Sequence, residues 1–551
     1  MGPEPPLAPG TTAEFDVLER ETVHAVFELQ PGFAVFLGAH EYDGHLPDFT
    51  RPSTDRWVAQ ARNLHRRLEG LSGDSLSPSR RFDRTLLQLL IESALFDLED
   101  VRELDRNPMA YLGQVSLTPY LVREYAPREH RVAAMVNLLR AAPPLLDSGV
   151  ARLEPRVPLP YVQLALTIAE GLPTHLKEAA AFASQVGANE HRSFSEAEGP
   201  AQEAIDRFSR SLRQEFLPRA TPDFALGPER YQRLLWVREG IRRPYSEILA
   251  QGWADLKRNQ ARLKEIAAGR NPPISETQLL ESMFRRHVQA QDLIPKAQEL
   301  VAEVRGFVEA KGLVSVPPDA VCRVEETPSY GRALSTASMN PPGPFDEGGS
   351  EGIYYVTPVD SAWTPAQQEE WLRMFNNATL RNTTVHEVFP GHYVQFLHFR
   401  AASTSLTRKT YISSAFTEGW AHYAEQVAVE SGISSQEPDA EAAQLTDALL
   451  RDCRLIASIG LHTQGMTVAA AAKLFHDEAH LEDLPSQREA IRGTFNPEYF
   501  CYTLGKLAIL DLRRKWLNEK FGGAIGRFHD HLLGYGAPPV GLLETLFQQA
   551  G

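Results

Sequence analysis

From about residue 15 to residue 310, apolar side chains recur at the spacing of one helix face. Trp57, Val58, Ala61, Leu64 and Leu68 form one such stripe; Leu86, Leu87, Leu90, Ile91 and Leu95 form another. Proline-rich breaks at Pro143-Pro144, Pro155 to Pro160, Pro218 to Pro222 and Pro272-Pro273 divide the stretch, because proline removes a ladder donor and crowds the preceding turn. Amphipathic helices are predicted near 128–141, 161–190 (interrupted at Pro173), 199–215, 228–240, 245–268, 275–291 and 294–311. Near residue 312 the texture changes. Leu313 to Val316, Ala320 to Val324 and Ile353 to Thr357 are short β-prone runs bounded by Pro317-Pro318, Pro328 and Pro358. Helical patterning resumes at Pro365 and continues to the C-terminus. The expected fold is mainly α with a small sheet, divided into a disordered tail over 1–14, a helical region over 15–311 and a region over 312–551 that carries the chemistry. The 353–357 run is read as an edge strand lining a cleft, where an extended peptide would be held by main-chain hydrogen bonds; a purely structural sheet fits the same pattern.

Composition narrows the function classes. A chain of 551 residues with 43% hydrophobic content has ample material for a large core. Its net charge of −15 disfavours nucleic acid as a partner and offers no polybasic signal for a membrane surface. Cys322, Cys453 and Cys501 are too few and too scattered for a disulfide framework, which points to a reducing, cytoplasmic setting. Residues 1–10 lack the basic and apolar character of a secretory signal, and no run of about 18 apolar residues predicts a membrane span. Gly348-Gly349-Ser350-Glu351-Gly352 lacks the lysine and the following helix of a phosphate loop.

The chemistry concentrates in His386-Glu387-Val388-Phe389-Pro390-Gly391-His392. Neutral imidazoles suit Zn²⁺, and a carboxylate beside an open zinc position can take a proton from water. In a regular helix, a spacing of four residues would return two histidines to one face. The spacing of six here leaves the second ring roughly 240° round the axis. Pro390-Gly391 can absorb the excess, so a kinked or bulged helix is expected to bring both rings to one ion. The plain alternative is two unrelated histidines beside a turn. A catalytic zinc needs a third protein ligand, and Glu418 in Thr417-Glu418-Gly419-Trp420-Ala421-His422-Tyr423-Ala424-Glu425 is the best candidate. His422 lies one turn further on the same face as a supporting partner, and Glu425 two turns further. Gly419 inside this helix implies close packing, since glycine otherwise weakens a helix interior. His476-Asp477-Glu478-Ala479-His480 has the regular spacing, but Asp477 is short and the flanks Lys473 and Glu482-Asp483 are solvated surface.

These segments resemble the domain of unknown function 885 family, bacterial proteins related to zinc metallopeptidases. The resemblance rests on His386 to His392 and Thr417 to Ala421, with weaker matches at Gly227 to Tyr231, Gly252 to Leu256, Tyr354 to Pro358 and Gly460 to His462. It implies His386, His392 and Glu418 as ligands of one Zn²⁺ per chain and Glu387 as general base. It also implies a large helical body similar to thimet-oligopeptidase-like and carboxypeptidase-Taq-like zincins, with a deep cleft. Ser458 stands where the family pattern has aspartate, and Arg492-Gly493 where it has an Arg-Tyr pair.

The expected activity is therefore hydrolysis of peptide bonds in oligopeptides. Tyr502 and His462 are candidate donors to the oxyanion. Arg454 and Arg513 are candidates to grip a substrate carboxylate, unless they form structural ion pairs. Tyr354 is a candidate beside the site, and His398 is helix surface. The rival readings are a catalytically silent zinc and peptide binder, a zinc hydrolase of a non-peptide amide or ester, and a structural protein with a vestigial motif.

Overall fold

The structure is a computed structural model, and it describes residues 9–328, 332, 335–402 and 405–549. It is mainly helical, as the pattern predicts, with one three-stranded sheet. Two compact units emerge. The first comprises Met1–Phe224 with Gly343–Gly348 and Thr404–Tyr411; the second comprises Ala225–Pro342, Gly349–Ser403 and Ile412–Gly551. The expected boundary at 311 thus falls inside the second unit.

The first unit contains α1 (Pro9–Leu29), α2 (Arg51–Gly70), α3 (Pro78–Leu95), α4 (Arg128–Arg152), α5 (Leu159–Val186) and α6 (Ala188–Ser211). The predicted tail is corrected here: helix begins at Pro9, while residues 1–8 lie outside the described set. Prolines interrupt less than expected. α4 runs through Pro143-Pro144 and α5 through Pro173. Tertiary burial of Ala142, Leu145 and Leu146 on α4, and of Leu172, His175 and Leu176 on α5, outweighs the lost ladder bonds.

The second unit starts with α7 (Pro228–Glu239), α8 (Tyr245–Ala268) and α9 (Leu293–Lys311). The sheet follows: β1 (Cys322–Glu326), β2 (Ala337–Asn340) and β3 (Gly352–Val356), in the order β1-β3-β2. β1 runs parallel to β3 and β2 antiparallel. Two expectations fail. Leu313 to Val316 is not a strand: the Leu313 carbonyl is held by His529 Nδ1 at 2.6 Å and that of Ser315 by His398 Nε2 at 2.7 Å. The 353–357 run is not an edge, because β3 is paired on both sides and every one of its residues is buried. The edge beside the motif helices is β2, whose half-buried residues carry no clean alternation.

The remaining main helices are α10 (Asn377–Glu387), α11 (His392–Ala402), α12 (Ser414–Glu430), α13 (Ala440–Thr463), α14 (Val468–Ala479), α15 (Asp483–Phe495) and α16 (Cys501–Phe521). α8 packs on α13 and α9 on α10, which is why the helices between residues 225 and 311 belong with the site rather than with the first unit. α12 and α16 approach backbone to backbone. A Cβ on Gly419 would lie 2.3 Å from Gly505 Cα, and one on Gly505 would lie 1.7 Å from the carbonyl oxygen of Ala415. The close packing inferred from Gly419 is present.

The N-terminus of α12 is capped twice. Ser413 Oγ accepts from Phe416 N at 2.9 Å, while the buried carboxyl of Glu239 accepts from Ala415 N at 2.9 Å and from Ser413 Oγ at 2.5 Å.

Two predictions follow from this packing. Gly505→Ala should destabilise the second unit by about 3 kcal/mol or more, since the obstacle is backbone rather than a movable side chain; urea unfolding beside wild type measures it. Burial pushes the Glu239 carboxyl up to about 7, against the hydrogen bonds from Ser413 and Ala415. Between the unfolded value near 4.5 and about 7 the folded chain keeps a proton that the unfolded chain releases, so stability falls as pH rises through that window. The span corresponds to about 3 kcal/mol. Unfolding midpoints of wild type should drop across it relative to Glu239→Gln, and a pH-independent difference would restore an ordinary carboxyl.

Candidate metal centre

α10 starts from a buried cap, Asn376 Oδ1 accepting from Thr379 N at 3.0 Å, and ends at Glu387. The next helical residue is His392, so the motif is two helices joined by Val388 to Gly391 rather than one. Gly391 allows this. A Cβ there would sit 1.8 Å from the His386 carbonyl oxygen, so only glycine lets the chain fold back over the first histidine. Gly391 N donates to Val385 O at 3.1 Å, and Trp420 Nε1 on α12 donates to Pro390 O at 2.9 Å. Tyr393 Oη shares its one proton between the carbonyls of Val321 and Ser350, 2.8 and 2.6 Å away, which fixes the start of α11 against β1 and the approach to β3.

The turn brings the rings of His386 and His392 to a centroid distance of 4.8 Å, nearly perpendicular at 88°. Nε2 of each faces the same carboxylate oxygen, Glu418 Oε2, at 3.6 and 3.5 Å. These separations exceed a good hydrogen bond. They match the edges of roughly 3.3–3.4 Å that a tetrahedral ion with bonds near 2.0–2.1 Å would span. All three donor atoms lie within 4.8 Å of one another, and among the described residues this is the group that could hold a metal ion.

The electrostatics support the geometry. His386 Nδ1 donates to Glu425 Oε1 at 2.6 Å, which turns Nε2 towards Glu418. Glu425 is fully buried and also receives Asn382 Nδ2 at 3.2 Å and Arg451 Nη2 at 3.1 Å. Burial pushes its carboxyl up, but Arg451, His386 and His422 together hold it well below the usual range. Burial likewise raises Glu418, and His386 and His392 bring it well below its ordinary value. For His386, burial and Arg451 favour the neutral ring, yet Glu418 and Glu425 carry it up to about 9. The pocket therefore places negative charge on a proton that a cation would replace.

Glu387 follows His386 and is 9% exposed, with no hydrogen bond to any described residue. Its charge is felt by the neighbouring Tyr354 and Cys322, where burial first and Glu387 second push the phenol and the thiol up. Tyr354 is completely buried on β3, so it supports the floor beside Glu387 and does not reach a substrate. The half-buried Tyr502 has a hydroxyl without a partner among the described residues. The guanidiniums of Arg454 and Arg451 lie 5.0 and 5.8 Å from the centre of its ring. Burial and the nearby Glu418 raise its phenol, which keeps the proton on.

Other candidates take structural roles. His462 is buried with both ring nitrogens used: Nδ1 accepts from Leu226 N at 3.3 Å and Nε2 pairs with Gly493 O at 2.9 Å. It is thereby removed as an oxyanion donor. Arg454 is bidentate on Glu489, both bonds 2.8 Å, and Arg513 pairs with Glu430 at 2.7 Å, so neither awaits a substrate carboxylate. His422 is fully buried behind the centre with Nδ1 3.4 Å from Glu425 Oε2. Burial and the cation of Lys506 keep it well below its ordinary value, hence neutral. Ser458 bridges Tyr231 Oη at 2.8 Å and Pro497 O at 2.7 Å. In the regular-spacing decoy, α14 ends at Ala479 and His480 turns left-handed at φ 57°, so its two histidines do not share a helix face. A cavity of about 460 Å³ in the first unit, lined among others by Phe33, Phe49, Asp97 and Tyr120, contains none of the candidate residues.

Sequence reasoning missed Arg451 and Asn382, which hold Glu425 from α13 and α10 and bear no motif. Glu425 itself was legible as the position two turns past Glu418.

The architecture agrees with the comparisons. The chain belongs to the family described as bacterial protein of unknown function DUF885, whose profile matches residues 31–546. Solved structures share the fold. A candidate lipoprotein of unknown function from Shewanella oneidensis is 23% identical with a TM-score of 0.79, over 97% of this chain and 99% of that one. A candidate lipoprotein from Colwellia psychrerythraea is 16% identical with a TM-score of 0.80, over 98% and 99%. No curated protein matches.

If Glu425 orients His386, Glu425→Gln should weaken zinc binding about 10–100-fold while the fold persists. Competition against a chromogenic chelator reads this out, and unchanged affinity would remove Glu425 from the centre.

Proposed function

We propose that this chain is a zinc-dependent peptidase. The observation that carries the proposal is the His386, His392 and Glu418 triangle with the unpartnered carboxylate of Glu387 in the same motif. The donor set fits the ion: two imidazoles and a carboxylate, one imidazole already fixed through Nδ1. When bound there, Zn²⁺ supplies Lewis acidity and lowers the pKa of a coordinated water towards neutrality. Glu387 accepts the proton of the attacking water and passes it to the leaving amine. Its lack of any competing hydrogen bond leaves it ready for both steps. Tyr502 donates its hydroxyl to the developing oxyanion, with Arg451 and Arg454 holding its ring. An extended peptide substrate lies along the edge of β2, which packs beside α10 and α11 and has β3 as its one neighbour in the sheet.

A zincin-like body, with the cleft that the resemblance implies, is part of the same reading. So is a cytoplasmic setting, which rests on three free cysteines; the lipoprotein descriptions belong to the two structural neighbours. Among the described residues no helix is long and apolar enough to cross a membrane. A silent metal binder has no need for the free carboxylate of Glu387, which favours catalysis over binding alone.

Elemental analysis of the purified chain should find about one zinc per molecule, lost in His392→Ala. Glu387→Gln should retain the zinc and lose at least about 100-fold in turnover on a peptide library. Wild type that takes up no zinc when it is offered would end the peptidase reading. Retained turnover in Glu387→Gln would end the base role.

A further inference from the structure

α11 and α12, which pack on each other along a seam, carry three buried polar atoms with no hydrogen bond among the described residues: His392 Nδ1 and Gln395 Oε1 on α11, and Thr417 Oγ1 on α12. Gln395 follows His392 by three residues, so the two side chains leave α11 on one face. Both reach α12. His392 Nε2 lies 3.5 Å from Glu418 Oε2, and Gln395 Nε2 donates to Phe416 O at 3.4 Å. Thr417 stands between those two positions. Gln395 is 2% exposed, so bulk solvent does not serve its carbonyl. An unpaired buried polar atom is costly, and the ordinary remedy is a buried water with two to four partners.

We propose that Thr417 and Gln395 position the imidazole of His392 from its Nδ1 side through one water buried in this seam. The Nδ1–H donates to the water, the water donates to Gln395 Oε1, and the Thr417 hydroxyl donates to the water's remaining lone pair. The proton is thereby fixed on Nδ1, and the Nε2 lone pair faces Glu418. The two ligand histidines are then held differently: His386 by the ionised Glu425, His392 by neutral groups. This inference rests on the metal-centre reading and adds what orients its second imidazole.

The test uses the full chain with ¹⁵N-labelled histidine. In the metal-free protein the Nδ1–H of His392, assigned by its loss in His392→Ala, should appear as a slowly exchanging signal. Thr417→Val, nearly equal in shape, should speed its exchange, and Thr417→Ser should restore it. With zinc offered, Thr417→Val and Gln395→Leu should each bind about 10–100-fold more weakly than wild type by chelator competition, with Thr417→Ser close to wild type. Should Gln395→Leu fail to fold, the Val and Ser pair at 417 decides alone. Unchanged exchange together with unchanged affinity in Thr417→Val overturns the proposal. A wild type that binds no zinc but shows the stated exchange pattern overturns the metal reading and leaves the seam standing.

Discussion

Everything at the centre depends on one close approach, the backbone of Gly391 against the carbonyl of His386. The heptapeptide has two residues too many for a single helix face, and the excess cannot be hidden by bending. The chain instead ends α10 at Glu387 and starts α11 at His392, folding back over itself where a side chain would stand 1.8 Å from oxygen. That constraint turns His392 towards His386 and leaves Glu387 on the last turn of α10. It also exposes the Pro390 carbonyl, which Trp420 of α12 takes at 2.9 Å. The helix that supplies Glu418 is thus tied to the turn that supplies the histidines.

A second constraint is electrostatic. Glu425 and Lys506 are fully buried near the centre and Arg451 is largely so, and burying charge is expensive unless each group is answered. Glu425 is answered by Asn382, Arg451 and His386 together. Arg451 in turn lies under the ring of Tyr502, so one guanidinium links the support of the first histidine to the proposed oxyanion donor. α12, which presents both Glu418 and Glu425, is fixed at its start by Glu239 and along its length by the Gly419 and Gly505 contact with α16. Rigid packing of this kind holds donor atoms in place before any ion arrives.

The helices and both motif segments were legible in the sequence because apolar spacing and a few chemically loud residues report directly on local structure. His386, His392 and Glu418 assemble as their types and spacing implied. What escaped was tertiary. Pro143, Pro144 and Pro173 read as breaks, but packing overrides them. β2 escaped because its half-buried residues alternate weakly, and that shifted the sheet edge from β3 to β2. For His462 and Arg454 a functional and a structural reading both stayed open, because no sequence shows that Leu226 N, Gly493 O and Glu489 will occupy them. Arg451 went unnoticed for the converse reason: its importance lies wholly in what it touches.

The contrast between satisfied and unsatisfied polar groups then separates scaffold from chemistry. Native interiors pair nearly all buried polar atoms, so those left over carry information. Around this centre the structural candidates are fully engaged: both nitrogens of His462, the bidentate face of Arg454, the carboxyl of Glu425. The Nε2 atoms of His386 and His392 instead converge on Glu418, and the carboxylate of Glu387 and the hydroxyl of Tyr502 have no hydrogen bond among the described residues. A protein that needed these groups only for stability would have paired them or replaced them with apolar side chains, since an unpaired carboxylate at the edge of the core adds nothing to stability. Their gathering, on a frame whose charged members Glu425 and Arg454 are committed, is the pattern expected of groups reserved for an ion and a reacting bond.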